Sequence, residues 1–259
     1  MRLGMRSAVV AAGLMALVAG CARPAAIESR EPSHVVVCPG IAGADPFCQR
    51  LTAMIDGLPG VSAQLWDWTV VEWTGDPSGL RNLTDYSRNQ RRARFLAEQI
   101  ESWRASHPSA DLSLLGVSGG AGIVIFAAGD LPETFVFEQV VLISGAVSPA
   151  RDLTPIIRRT RRGLFNYYSR NDRLILADGT RINGTMDRQF CPSCGYCGLE
   201  KPSDPDVAAR LFQLKWRPEF LLLGNDGGHL GGLSAEFVRR FVLPLFADGV
   251  TPPAGWQRA

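Results

Sequence analysis

The sequence predicts an α/β fold built on one mostly parallel sheet with helices on both faces, and three observations predict it. Segments of strand character alternate with segments of helical periodicity along most of the chain, which is the pattern of a parallel sheet whose crossovers are helices. Residues 112–129, LSLLGVSGGAGIVIFAAG, pass from a short apolar run through a glycine-rich turn into a second apolar run rich in small residues. A buried strand followed at once by a helix reads this way. At 259 residues the chain suits one large domain better than two small ones.

The first residues read as a targeting signal rather than as part of that domain. Arg2 and Arg6 form a basic start, and Ala8 to Val18 is an apolar stretch too short to span a bilayer comfortably. It ends in Leu17-Val18-Ala19-Gly20-Cys21, small residues before a cysteine, which resembles the lipobox of bacterial lipoproteins. The resemblance implies that residues 1–20 are removed and that Cys21 becomes the lipidated first residue, anchoring the protein to the cell envelope. Ala22 in place of an aspartate implies, by the same resemblance, the outer membrane. A plain secretory signal with an incidental Cys21 is the alternative. Residues 21–32 are polar and proline-bearing and read as a tether, leaving 33–259 as the folded domain. The chain carries 27 basic and 25 acidic side chains. Without Arg2 and Arg6 the two counts are equal, which gives no reason to expect nucleic-acid binding.

Within the domain, His34 to Cys38 (HVVVC) is a β-branched strand, followed by the glycine-rich loop Pro39-Gly40-Ile41-Ala42-Gly43. Asp45 to Leu58 reads as a helix. Val61 to Val71 alternates as a strand around Trp66, Trp68 and Val70. Thr74 to Leu83, with Gly75, Pro77 and Gly79, reads as a loop. Thr84 or Asp85 caps a helix to about Ala105, with Phe95, Leu96, Ile100 and Trp103 on its apolar face and Pro108 marking its end. Past the strand-turn-helix unit, Phe135 to Ile143 is a strand. Leu153 to Thr160 is a short helix with Pro155 in its first turn, and Gly163 to Ser169 is a further strand. Asp178 to Asp206 has no clear period and reads as an excursion over the sheet. Phe220 to Gly224 reads as a buried strand, and Ser234 to Phe246 as a closing amphipathic helix.

Export would place the remaining cysteines in an oxidising compartment. Cys38 and Cys48 flank a short loop that a disulfide could close. Cys191, Cys194 and Cys197 form a C-x-x-C-x-x-C run. Three thiolates could hold a metal, but no fourth ligand is identifiable. A bridged pair with one thiol left over is the simpler expectation, and no metal site is assigned.

The turn in residues 116–120, Gly-Val-Ser-Gly-Gly, is the pattern G-x-S-x-G with a strand before it and a helix after it. The glycines remove Cβ atoms that would clash in the tight bend holding Ser118, and the helix start brings free N–H groups beside its hydroxyl. A serine hydroxyl needs a base, and the chain has three histidines. His34 opens a strand, and His107 sits at a helix end, where interaction with the helix dipole is a structural role. His229 lies between glycine pairs in Gly227-Gly228-His229-Leu230-Gly231-Gly232, a loop able to approach another. The acid that orients the imidazole is Asp172, just beyond the strand GLFNYYS. Asp152 is the second choice, and Asp178 and Asp187 lie further from a strand end. The oxyanion donors are the N–H of Gly119 and that of Ile41, with Gly40 the alternative.

The order Ser118, Asp172, His229, the early Pro-Gly loop and the strand-helix alternation resemble the α/β-hydrolase superfamily over roughly residues 34–246. The resemblance implies a mostly parallel eight-stranded sheet, a serine-histidine-acid triad without cofactor, and hydrolysis of esters or related acyl bonds of a small molecule or lipid. Two features depart from it. The early loop lacks the His-Gly pair of lipase-type oxyanion loops, and the cysteine-bearing excursion is not general to the superfamily. Acyl transfer to an alcohol, or a binding protein with an idle triad, are the alternative functions. The clustered Trp66, Trp68 and Trp73 read as core at a sheet edge rather than as a substrate wall. The run Arg158, Arg159, Arg161 and Arg162 reads as a solvated helix end rather than a headgroup site.

Overall fold

The computed structural model divides the chain into two units, Met1–Arg30 and Glu31–Ala259, and describes residues 33–43, 66–75, 79–246 and 252–259, all in the second. Among these, seven strands form one sheet in the order β2-β1-β3-β4-β5-β6-β7. They are β1 (Ser33–Cys38), β2 (Trp66–Val70), β3 (Leu112–Val117), β4 (Phe137–Ile143), β5 (Thr160–Tyr168), β6 (Leu211–Lys215) and β7 (Gln257–Arg258). All pairings are parallel except the short β6–β7 pair. The register aligns one row, Val36, Leu114, Val140, Leu164 and Leu211, on one face and the neighbouring row, Val37, Leu115, Val141, Phe165 and Phe212, on the other. Side chains on a strand alternate between faces, so β-branched and aliphatic residues at successive positions commit both faces to burial.

Three helices cover the first face: α2 (Tyr86–Ser106), α3 (Gly120–Asp130) and α4 (Thr154–Arg158). Asp85 starts α2 by accepting the Arg88 N–H, which satisfies one of the orphan donors of the first turn. Leu96 and Ile100 of α2 are buried, whereas Phe95 is 56% exposed and lies off the apolar face that the spacing predicts for it. Buried residues of 220–246 cover the second face, with Phe237, Val238 and Val242 against Val141, Ile143 and Tyr167. The closing helix is irregular: Ala235–Phe237 is α-helical, Val238–Val242 a π turn and Leu243–Phe246 a 3-10 turn. Pro244, which cannot donate an N–H, lies in its last part.

Several predicted elements need correction. Residues 74–83 hold the start of a short helix, α1 (Leu80–Thr84), rather than only loop. Phe220 to Gly224 is not a buried strand: Pro218–Leu223 is a 3-10 helix in which only Phe220 is buried. The sixth strand is Leu211–Lys215, LFQLK, whose two central polar or half-buried positions hide its character. The excursion is built of short turns: a π turn at Arg173–Gly179 and single helical turns at Thr180–Asn183, Cys194–Cys197 and Pro205–Ala208. Seven strands, not eight, lie among the described residues.

The expected bridge within residues 191–197 is not formed; Cys191, Cys194 and Cys197 all carry unbridged thiols. Their sulfurs are turned to different acceptors. Cys194 Sγ faces the Gly145 carbonyl in the core, Cys197 Sγ the Ser193 carbonyl, and Cys191 Sγ the Ser148 hydroxyl. The arginine run is engaged in structure. Arg158 pairs with Asp204 and Arg161 with Asp111, while Arg159 donates to the Ala128 carbonyl in the last turn of α3 and to the Leu131 and Pro132 carbonyls just past it. Trp73 is buried. The Asp45 to Leu58 helix, Cys48, Cys21 and the side chains of Trp66 and Trp68 lie outside what is described.

Candidate active site

Consecutive parallel strands β1 and β2 lie to one side of the sheet's chain start, and β3 returns on the other side of β1. The strand order therefore reverses at β1, and at such a switch point the carboxyl ends of neighbouring parallel strands border a crevice. The Pro39–Gly43 loop and Ser118 both sit there. Ser118 has φ 51°, in a region that L-residues with a Cβ rarely occupy. The bend is held by the Ser118 N–H donating to the Ile143 carbonyl (2.9 Å) and by the Ala121 and Ala146 N–H groups donating to the Ser118 carbonyl (3.2 and 2.9 Å). Both motif glycines are required by space. A Cβ on Gly120 would run into the Cys38 and Pro39 carbonyls, and one on Gly116 would lie 2.5 Å from Ala121 Cα.

Asp172 and His229 arrive from the carboxyl side of β5 and from the loop after β6. His229 Nε2 lies 3.0 Å from Ser118 Oγ, and its Nδ1 lies 2.7 Å from Asp172 Oδ2. A carboxylate only accepts, so the proton belongs on Nδ1, and Nε2 is left to accept from the Ser118 hydroxyl. The Asp172 side chain is 3% exposed and that of His229 18%. The other Asp172 oxygen accepts the Leu176 N–H, so the carboxylate is held from both ends. The two loops are tied to each other. The Asn171 amide donates to the Asp226 carbonyl (3.2 Å), and Asn225, at the root of the His229 loop, is bonded to the buried Tyr167 hydroxyl. Burial pushes the Tyr167 phenol far above its ordinary range, so it stays a neutral hydrogen-bonding group.

The early loop lies against the serine. A Cβ on Gly40 would touch Ser118 Cβ at 3.4 Å, and one on Gly119 would meet Ile41 Cγ2 at 2.5 Å and Ile41 N at 3.6 Å. Neither the Gly119 nor the Ile41 N–H is engaged by another described residue. Three hydrogen bonds fix the loop: the Trp73 indole N–H donates to the Pro39 carbonyl (2.8 Å), the Gly43 N–H to the Gly40 carbonyl (3.1 Å) and the Asn82 amide to the Ile41 carbonyl (2.8 Å). Asn89 in turn donates to the Asn82 carbonyl (2.7 Å). In a trans peptide the C=O and N–H point opposite ways, so holding the Gly40 oxygen back into the loop turns the Ile41 N–H outward. Trp73, Asn82 and Asn89 are absent from the sequence reading as site residues. Asn82 falls in a stretch without periodicity, and only its burial reveals it.

The other candidates are placed elsewhere. Asp152 accepts the Thr154 N–H at the start of α4, and that hydrogen bond holds its carboxyl below the usual range. Asp178 pairs with Arg181 on the surface. Asp187 accepts from the Ser148 N–H and the Thr185 hydroxyl. His34 and His107 both stack on Trp103, and His107 Nδ1 lies 3.0 Å from the Trp103 carbonyl at the end of α2.

Neither a family model nor a curated protein matches the sequence. Among solved structures the chain is similar to a cutinase-like protein from Cryptococcus sp. (14% identity, 87% of this chain and 98% of that one, TM-score 0.47). It is similar also to a dienelactone hydrolase-like promiscuous phosphotriesterase from metagenomic libraries (14%, 73% and 71%, 0.43). A third is the Pyrococcus horikoshii acylaminoacyl peptidase (12%, 85% and 37%, 0.47), of whose length this chain spans about a third. Independently of these distant likenesses, the parallel sheet, the strained serine between β3 and α3, and the acid and imidazole loops following β5 and β6 give the chain an α/β-hydrolase fold.

Proposed function

We propose that the protein is a serine hydrolase that cleaves carboxylic esters, or a closely related acyl bond, through Ser118, His229 and Asp172. The observation that carries this reading is the unbroken chain from Ser118 Oγ through the imidazole to the Asp172 carboxylate. In the first half-reaction Ser118 Oγ attacks the acyl carbon while His229 Nε2 takes the hydroxyl proton. The carbonyl oxygen becomes an oxyanion received by the Ile41 and Gly119 N–H groups. Asp172 keeps the imidazole in the required tautomer and stabilises its cation. The C–O bond to the leaving alcohol then breaks, and the alcohol leaves with the proton from Nε2. In the second half, water gives a proton to Nε2 and its oxygen to the acyl carbon, the bond from that carbon to Ser118 Oγ breaks, and Nε2 returns the proton to Oγ as the acid leaves. No step calls on a cofactor. The reading extends to export and lipidation at Cys21, for which a membrane-bound parent and a released Cys21→Ser variant are the expected pair.

The test is a fluorophosphonate probe followed by a panel of activated esters graded by chain length. Labelling at Ser118, and an Ser118→Ala variant that melts at the same temperature but loses turnover by about 10³-fold or more, are the expected results. Folded protein that refuses the probe and cleaves no ester in the panel would return the chain to the binding-protein alternative. An ester product appearing with glycerol in the assay would assign acyl transfer instead of hydrolysis.

A further inference from the structure

Eleven large hydrophobic side chains are exposed among the described residues, and seven of them lie on the two segments that deliver Asp172 and His229. Leu174 (82% exposed), Ile175, Ile182 (74%) and Phe190 (61%) follow Asp172; Leu221, Leu222 (89%) and Leu230 (67%) flank the imidazole loop. These are not frayed tips. The segment after Asp172 is pinned from beneath by Leu176 and Met186, both fully buried, by the Met186 N–H on the Ala146 carbonyl, and by Met186 packing where a Cβ on Gly122 would sit. The polypeptide therefore presents the side chains after Asp172 outward from a fixed base, on one of the two segments that carry the acid and the imidazole. Scattered exposed apolar residues need no explanation, but a cluster does.

The charges around the cluster indicate what it meets. Between residues 170 and 190 the basic side chains are Arg170, Arg173, Arg181 and Arg188. Of the acids in that span, Asp172 and Asp187 are turned inward to His229 and to the Ser148 N–H, leaving Asp178 as the exposed one, while beside the second segment Arg217 is exposed with Glu219 and Asp226. Aliphatic and aromatic side chains bordered by arginine are the composition of a surface that inserts among lipid acyl chains while its cations meet anionic headgroups. We infer that this face docks the protein on an anionic phospholipid bilayer, with the Ser118 mouth turned toward the lipid. Docking is independent of turnover and does not require the proposed hydrolase activity.

The experiment uses the full chain carrying Cys21→Ser, so that no acyl anchor contributes, and vesicles of phosphatidylcholine with or without phosphatidylglycerol. Cosedimentation should favour the anionic vesicles. The double variant Leu174→Ser/Phe190→Ser should bind them at least about tenfold more weakly. Arg173→Gln/Arg181→Gln should lose about thirtyfold on anionic vesicles, as expected for two basic side chains near such a surface, and little on neutral ones. Hydrogen exchange at residues 173–190 and 221–230 should slow when vesicles are added. An Ser118→Ala variant should bind like its parent, which separates this result from the fate of the hydrolase reading. Equal binding by parent and apolar variant, or no preference for the anionic vesicles, overturns the inference. So does a concentration-dependent dimer abolished by the same substitutions, which would make the patch a self-association face.

Discussion

On the proposed reading, Asn82 belongs to the part of the site that never touches the reacting atoms. Its side chain is fully buried and spends its amide on the Ile41 carbonyl, so the peptide that offers the Ile41 N–H is steered from behind. Removing a direct oxyanion donor costs roughly 10²–10³ in kcat, and loosening one should cost less. Asn82→Ala is expected to lower kcat about 10- to 100-fold with KM within about twofold, measured on an activated ester; an equal rise in KM would point to a merely structural role. Ser118 and Asp172 could be picked out of the sequence because each follows a strand in a turn with special residues, and His229 because glycine pairs flank it, although the segment read as a strand before it is a 3-10 helix. Asn82 could not, because its role depends on which carbonyl it meets across the fold.

Among the elements, the misread strand is the instructive one. Residues 220–223 are uniformly apolar, yet Pro218 and Gly224 compress them into a 3-10 turn whose Leu221 and Leu222 face outward. Apolar runs of this length do not distinguish strand from short helix by periodicity. The true strand, LFQLK, pairs with β5 on one side and only with the two-residue β7 on the other, so it tolerates Gln213 and a terminal lysine. The cysteine turn was legible only as an irregular excursion. Burial raises the thiol pKa of Cys194 far above its ordinary value and also raises that of Cys197, which lowers the thiolate fraction at neutral pH. Alkylation of the native protein at pH 7 should therefore leave Cys194 unmodified until unfolding and modify Cys197 slowly, as read by peptide mass mapping. If reductant were first needed to expose either thiol, the unbridged arrangement would be wrong.

For the whole molecule, the strongest constraint is the pair of apolar rows crossing five strands. Phe165 is fully buried, stacked on Phe212 with ring centroids 4.8 Å apart and edge-on to Trp256. Phe165→Ala should cost about 3–5 kcal/mol, seen as a lower urea midpoint with an unchanged slope. The fold class was readable because both rows are written in Val, Leu and Phe at successive strand positions, a pattern that survives errors in individual boundaries. One further property follows from the ties on the acid and imidazole loops, Asn171 to Asp226 between the loops and Asn225 to Tyr167 of β5. The ring and its carboxylate are thus fastened both to each other and to the strand beside them. A gentle thermal loosening elsewhere in the molecule should leave their pairing in register, and activity should return on cooling.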